Sequence, residues 1–286
     1  MLFVSGSSLV PIFNNFTNGT TIGVSVTPGT SNAEGTYTEL VDGALVTEDI
    51  YYVKLWKSAG FVSTAAKPQL LDIGVDEAAG TSYTTILNNL SCGDCGAISM
   101  GAGRFGGKMF DLPLFIKAGS SIAVRTQGSH ATGTASRIAI SCYGAPDRPH
   151  NVIAASFTET IGTIASSQGT AFTPGNSLAE GTWTLVGTTV ADLWGFVMSV
   201  DSSDAAKGDV GYTFDLAYGD ASNKVLLVEN FLLFATATED TSHMAPEIGY
   251  ANVPGATNIY VRGTCSGTTD TGWTCTVVGF GGLGHP

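Results

Sequence analysis

A twelve-residue stretch, Thr27–Thr38 (TPGTSNAEGTYT), returns later in the chain as Thr173–Thr184 (TPGNSLAEGTWT). Nine of the twelve positions are identical; the exceptions are Thr30/Asn176, Asn32/Leu178 and Tyr37/Trp183. Self-similarity at a fixed spacing is the mark of a repeated architecture. A chain of 286 residues has room for two units of roughly 100–150 residues each. The chain therefore reads as two copies of one unit, and any fold proposed for it has to be built twice.

The unit is a β unit. Charged residues make up only 13 % of the chain, against 43 % hydrophobic residues and 37 glycines, which fits short strands joined by small-residue turns. Within the repeated stretch, Pro28–Gly29 predicts a type II turn, with glycine at positive φ. Ile50–Lys57 (IYYVKLWK) alternates as a strand, with Tyr51, Val53 and Leu55 on one face and Tyr52, Lys54 and Trp56 on the other. Its counterpart, Leu193–Val200, puts Trp194, Phe196, Met198 and Val200 on one face. Leu70–Val75 matches Phe214–Tyr218, aligning Asp72 with Asp215, and Ile86–Leu90 matches Val225–Phe234. The run VLLVENFLLF lacks a cap or polar stripe and reads as strand rather than buried helix. Gly119–Arg125 matches Gly255–Arg262, and closing strands follow at Arg137–Tyr143 and Trp273–Phe280.

These elements predict an all-β protein of two tandem antiparallel sandwiches. Jelly-roll-like topology is preferred, because no Cys–Trp–Cys pattern points to the immunoglobulin fold. The expected division is an extended N-terminal arm at 1–26, sandwiches at 27–146 and 153–286, and a linker at 147–152 within the proline-rich run from Pro146. The arm, with apolar beads at Val4, Leu9, Ile12 and Phe16, is of a kind that adds a strand to a neighbour's sheet.

Charge narrows the partners. With 12 Lys plus Arg against 24 Asp plus Glu, the net charge is −12, which disfavours direct binding of nucleic acid or of an anionic membrane. No stretch has the apolar length of a membrane span. The N-terminus lacks a basic region and its apolar run is broken at Ser5–Ser8, so it reads as a poor signal peptide. Five cysteines, an odd number, argue against a complete disulfide framework and for synthesis in a reducing compartment.

The chemical motifs are weak. GAGRFG at Gly101–Gly106 and GFGGLG at Gly279–Gly284 fit a dinucleotide pattern by letter but lack the helix that must follow. Cys92 and Cys95 have metal-like spacing without a second pair of ligands. Cys265 and Cys275 flank a polar stretch, where a disulfide is possible but not required. His130, His150, His243 and His285 lie in polar surroundings without a nucleophile motif. Asp201–Asp209 lacks the order of a calcium loop. Glu34, Glu180, Asp72 and Asp215 recur in both copies. They are placed in the framework as hydrogen-bonding groups rather than as the acid and base of a glycosidase. No cofactor, metal or catalytic residue is expected.

Two segments, LLDIGVDEAAGTSYTTILNNL at Leu70–Leu90 and FDLPLFIKAGSSIAVRTQ at Phe110–Gln127, resemble a recurring pattern in tailed-bacteriophage virion proteins. The resemblance covers most of 27–144 and, more faintly, 173–282; FDLAYGD in the second copy lacks the glycine that follows Asp72-Ile73 in the first. It implies a non-enzymatic virion component, made in the host cytoplasm, that decorates or joins the particle beside other virion proteins, as a homo-oligomer. A carbohydrate-binding module that recognises host-surface glycan is the alternative, and a polysaccharide-degrading enzyme the third reading. The expected contact residues are Arg104, Phe105 and Lys108, an aromatic beside two cations in a glycine-rich loop. Trp273 joins them as the tryptophan expected at the surface.

Overall fold

The structure, a computed structural model, describes residues 9–16, 23–58, 69–92, 107–128, 135–145, 153–164, 169–202, 210–235, 248–268 and 273–283. The first half holds β1 (Val10–Asn14), β2 (Val24–Val26), β3 (Thr38–Val41), β4 (Ile50–Ser58), β5 (Gln69–Asp76), β6 (Thr84–Ser91), β7 (Gly107–Leu112), β8 (Ser121–Gly128) and β9 (Ser136–Gly144). The second holds β10 (Phe157–Ile161), β11 (Thr170–Phe172), β12 (Thr184–Thr188), β13 (Leu193–Ser202), β14 (Val210–Gly219), β15 (Lys224–Ala235), β16 (Ile248–Val253), β17 (Asn258–Cys265) and β18 (Trp273–Gly281). Among the described residues the single helical piece is a 3-10 turn at Gly43–Leu45.

Strand pairing settles the topology. In the first half β5 pairs with β6, β4 with β7, β3 with β8 and β2 with β9, all antiparallel. These are nested pairs of one long hairpin, folded over so that the orders β1-β9-β4-β7 and β3-β8-β5-β6 form two facing sheets. The second half repeats the nesting, with sheets β10-β18-β13-β16 and β12-β17-β14-β15. That wrapping is the jelly roll. Residues on the facing sides form the cores: Val53, Leu55, Ile73, Val124 and Ile140 belong to the first cluster, and Phe196, Met198, Phe214, Val261 and Trp273 to the second.

The expected alternation in β4 is present: Val53 and Leu55 are buried, and Tyr52, Lys54 and Trp56 are half-buried. VLLVENFLLF lies in β15 as strand. The N-terminal segment differs from the expectation of a free arm. Val10–Asn14 pairs with β9 of the same chain, and β10 occupies the matching edge on β18. The repeat thus reaches upstream of the twelve-residue motif, and the segment's main-chain groups are used at home. The linker from Pro146 to Asn151 lies outside the described residues.

The repeated motif is explained by an ion-pair cluster built once in each copy. Arg125 of β8 binds Asp72 of β5 at 2.8 Å and Glu34 of the motif at 2.6 Å, and its guanidinium lies 4.8 Å from the centre of the Tyr37 ring. Arg262 of β17 likewise binds Asp215 at 2.9 Å and pairs with Glu180, while its guanidinium lies 4.5 Å from the Trp183 ring centre. The motif's Glu and aromatic residue therefore close over an Arg–Asp pair on adjacent strands, combining charge-assisted and cation–π contacts. Gly29 and Gly175 are absent from the positive-φ positions, which fall instead on Asn32, Ser177 and Leu178. Glycine is needed there for space: a Cβ on Gly29 would sit 2.5 Å from the Ala33 carbonyl oxygen, which corrects the type II expectation.

The sandwiches are packed together. Val197, Val278 and Phe280 of the second half belong to the first half's apolar cluster, with Leu87 and Leu90 of β6. β6 is an edge strand, and exposed edges invite unwanted pairing. Here its outward carbonyls are occupied: Thr158 Oγ1 donates to Ile86 O at 2.8 Å, and Thr160 Oγ1 donates to Asn88 O. A parallel bridge between Leu114 and Ala155 ties the start of the second half to the first.

Candidate functional site

The site begins with an irregularity in β13. Its pairing register with both neighbours shifts between Leu193 and Gly195. The bulge leaves Leu193 in the second core and turns Trp194 away, so that it packs instead against the first half's cluster. Bulges re-aim side chains in this way. The uniform face predicted for Trp194, Phe196, Met198 and Val200 is corrected accordingly: the last three are core, and Trp194 is not.

Trp194 is held firmly. Its Nε1–H donates to Gly282 O at 2.6 Å. Its ring lies 6.0 Å from Phe280 and 6.2 Å from Tyr250 of β16, the latter nearly parallel at 7°. Phe280 is fully buried, whereas Tyr250 is 47 % exposed. The stack therefore runs from the buried junction of the sandwiches out to solvent, with Tyr250 as its wet end.

Beside it opens a pocket of about 340 Å³, within the range of small-ligand sites. Leu193, Val253, Pro254 and Leu283 supply apolar walls, and Asp192 and Asn252 supply polar ones. Asp192 Oδ1 accepts from Gly255 N at 2.7 Å. Its Oδ2 has no hydrogen bond among the described residues, and neither does the Asn252 amide nor the Tyr250 hydroxyl.

The first sandwich adds a polar cluster next to Tyr250. Tyr52 donates to Asp111 Oδ1, Lys54 lies 3.6 Å from the same oxygen, and Tyr143 meets Tyr52 edge-on at 5.6 Å. Burial, then the bond to Asp111, raises the Tyr52 phenol far above its ordinary range, with Tyr143 and Tyr250 adding to the effect. Burial raises Tyr250, and the Asp111 carboxylate raises it further. The Asp111 carboxylate thus acts on the phenols of both Tyr52 and Tyr250.

The sequence-derived contact residues fare differently. Arg104 and Phe105 lie outside the described residues, and Lys108 is described only as a strand position opposite Lys57. Trp273 is not at the surface. It is fully buried where β18 begins, 4.6 Å from Tyr212 and 4.9 Å from Phe214. The polar residues before it suggested a hairpin, but the strand starts at Trp273 itself and its ring points into the core.

Other motifs resolve into framework. Gly279 and Gly281 lie in β18, and a Cβ on Gly279 would collide with Leu193. Cys92, Cys142, Cys265 and Cys275 are buried; Cys265 and Cys275 stand on β17 and β18, in opposite sheets. Cys95 and the four histidines lie outside the described residues. Among the described residues no His, Cys, Asp and Glu side chains group as a metal site.

No known protein family and no curated protein matches the chain. Solved structures similar to it include PNGF-II, at 10 % identity and a TM-score of 0.40, covering 98 % of this chain and 66 % of that one. The chain thus spans just under two thirds of that protein's length. Others are PNGase F, a glycosylasparaginase from Flavobacterium meningosepticum (13 % identity, TM-score 0.32, 96 % of both chains), and the CBM22-1–CBM22-2 tandem of Paenibacillus barcinonensis Xyn10C (12 %, 0.29, 96 % and 98 %). Likeness at these scores bears on neither the site nor the activity.

Proposed function

We propose that the chain is a glycan-binding double jelly roll that engages sugar at the Trp194–Tyr250 stack. The observation that carries this reading is an aromatic stack, half-exposed at Tyr250, whose Trp194 lines a pocket that Asp192 and Asn252 also line. A pyranose presents an apolar C–H face and a rim of hydroxyls. Tyr250 offers the complementary flat apolar surface, and Asp192, Asn252 and the Tyr250 hydroxyl offer partners for the rim. Binding without cleavage is part of the proposal. The recurring carboxylates, Asp72 and Asp215, are each held by an arginine and a backbone N–H, and Asp111 is held by Tyr52 and Lys54.

The test is a binding screen against immobilised polysaccharides, followed by calorimetry on the best hit. Tyr250→Ala, at an exposed position, is expected to weaken binding roughly tenfold, the worth of one aromatic contact of about 1–1.5 kcal/mol. Unchanged affinity in that variant, or no binding to any glycan, overturns the assignment. Shortening of the oligosaccharide during incubation would replace binding by hydrolysis.

The virion setting is a separate proposal that rests on the resemblance alone. The segments that carry it, Leu70–Leu90 and Phe110–Gln127, form most of β5, β6 and β8 and half of β7, which are sandwich framework. None of the solved structures named above is a virion protein. Co-sedimentation of the chain with phage particles tests it, and its absence from purified particles removes it.

A further inference from the structure

We infer that the Trp194–Tyr250 site selects neutral sugars bearing adjacent free hydroxyls and rejects acidic ones; this rests on the glycan-binding reading above. Among the described residues no lysine, arginine or histidine lines the pocket, and its one charged wall residue is Asp192. Lys54, the cation on the first-sandwich side of the junction, already pairs with Asp111. A uronate or sialate carboxylate brought to this pocket would meet Asp192 without a compensating charge, in a chain of net charge −12. Two like charges a few ångströms apart near a protein surface repel by several-fold more than in bulk water.

The same geometry favours hydroxyl donors. One oxygen of Asp192, a residue of the pocket wall, is fixed by the Gly255 N–H, which orients the carboxylate and leaves its second oxygen as an acceptor. The Asn252 amide adds both a donor and an acceptor. A carboxylate that accepts from one hydroxyl, beside an amide that takes its neighbour, is satisfied by vicinal hydroxyls on one ring. Once bound there without those partners, a deoxy or O-methylated sugar leaves the carboxylate desolvated and unpaired, which is costly.

The experiment compares the full chain with matched oligosaccharides of four to six rings: neutral gluco-, xylo- and manno-oligosaccharides, and an oligogalacturonate. Binding is followed by calorimetry. At least one neutral ligand is expected to bind roughly tenfold or more tightly than the oligogalacturonate, with an affinity unchanged between about 50 and about 500 mM salt, because no ion pair is screened. Asp192→Asn keeps an acceptor for Gly255 and removes the charge. It is expected to tighten oligogalacturonate binding several-fold, and so to narrow the gap, whatever the neutral ligand loses with the second acceptor oxygen. Neutral binding with equal or tighter oligogalacturonate binding overturns this inference and leaves the glycan site standing. A gap that persists unchanged in Asp192→Asn also overturns it. Failure of every saccharide to bind removes the glycan reading itself, and this inference with it.

Discussion

Asp72→Ala is expected to be among the most damaging single changes at a polar position in the first sandwich. The Asp72 side chain is 4 % exposed. Its Oδ1 accepts from the Asn89 backbone N–H at 2.7 Å, and its Oδ2 accepts from Arg125 Nε at 2.8 Å. Asn89 has a φ of 55°, so this carboxylate anchors a left-handed residue that breaks the pairing of β6 with β5. Each hydrogen bond to a charged group contributes about 1.5–3 kcal/mol. The Arg125 share must be discounted, because that side chain is 23 % exposed and keeps Glu34. The total comes to about 3 kcal/mol, or a fall of roughly 10 °C in Tm for a unit of this size. Asp72→Asn retains the acceptor for Asn89 and should lose about half as much. Glu34→Gln, at a 40 % exposed position, should lose less than about 1 kcal/mol. Circular dichroism with guanidinium titration measures all three. A shift under about 3 °C for Asp72→Ala, or equal losses for Asn and Ala, would refute the anchoring argument.

Three other outcomes follow from the same structure. Deletion of Met1–Asn15 removes β1 and uncovers the flank of β9, so it should destabilise the first sandwich; a wild-type melting curve for the truncated chain would show that β1 is dispensable. Cys92, Cys142, Cys265 and Cys275 should resist alkylation at pH 8 in the native state and react in guanidinium, because all are buried and burial pushes the Cys142 thiol up to about 12; peptide mass spectrometry reads each site. Burial, with Glu39 adding to it, raises Tyr83 to about 12 from an ordinary 10.0. The folded state therefore holds that proton more tightly, so its stabilisation is complete below pH 10, fades up to about 12, and should be visible as a Tm decline over that window that Tyr83→Phe reduces.

Much of the fold was legible because jelly-roll strands alternate and the chain writes the unit twice. Matching copies fixed Asp72 opposite Asp215 before any contact was known, and both prove to grip an arginine on the neighbouring strand. The readings that failed did so at breaks in regularity. Trp194 belongs to an alternating run, and nothing in LWGFVMSV marks a bulge at its start except Gly195, whose missing side chain weakens a strand locally. Trp273 follows a polar run of sequence, so composition pointed outward while the ring turned in. The first strand, VPIFN, was too short and too interrupted by Pro11 to declare itself, and its partner, β9, lies more than a hundred residues away.

Duplication also explains why the candidate site sits on the second copy. The position of Phe280 beside Gly195 is that of Tyr143 beside Tyr52 in the first copy, by the matching registers of β18 with β13 and β9 with β4. In the second copy this outer face is covered by the first sandwich, and Val197, Val278 and Phe280 are buried there. In the first copy the equivalent face carries Lys54, Ser141 and Tyr143, with Asp111 alongside. Apolar residues are retained where the neighbouring sandwich excludes water, and Lys54 and Tyr143 stay half-exposed where it does not. At the rim of the covered face these two regimes meet. Trp194 is half inside the junction and Tyr250 half outside it, so an aromatic surface is rigidly backed yet reachable. That combination needs both a packed partner and an edge, which a single sandwich of this kind would not provide.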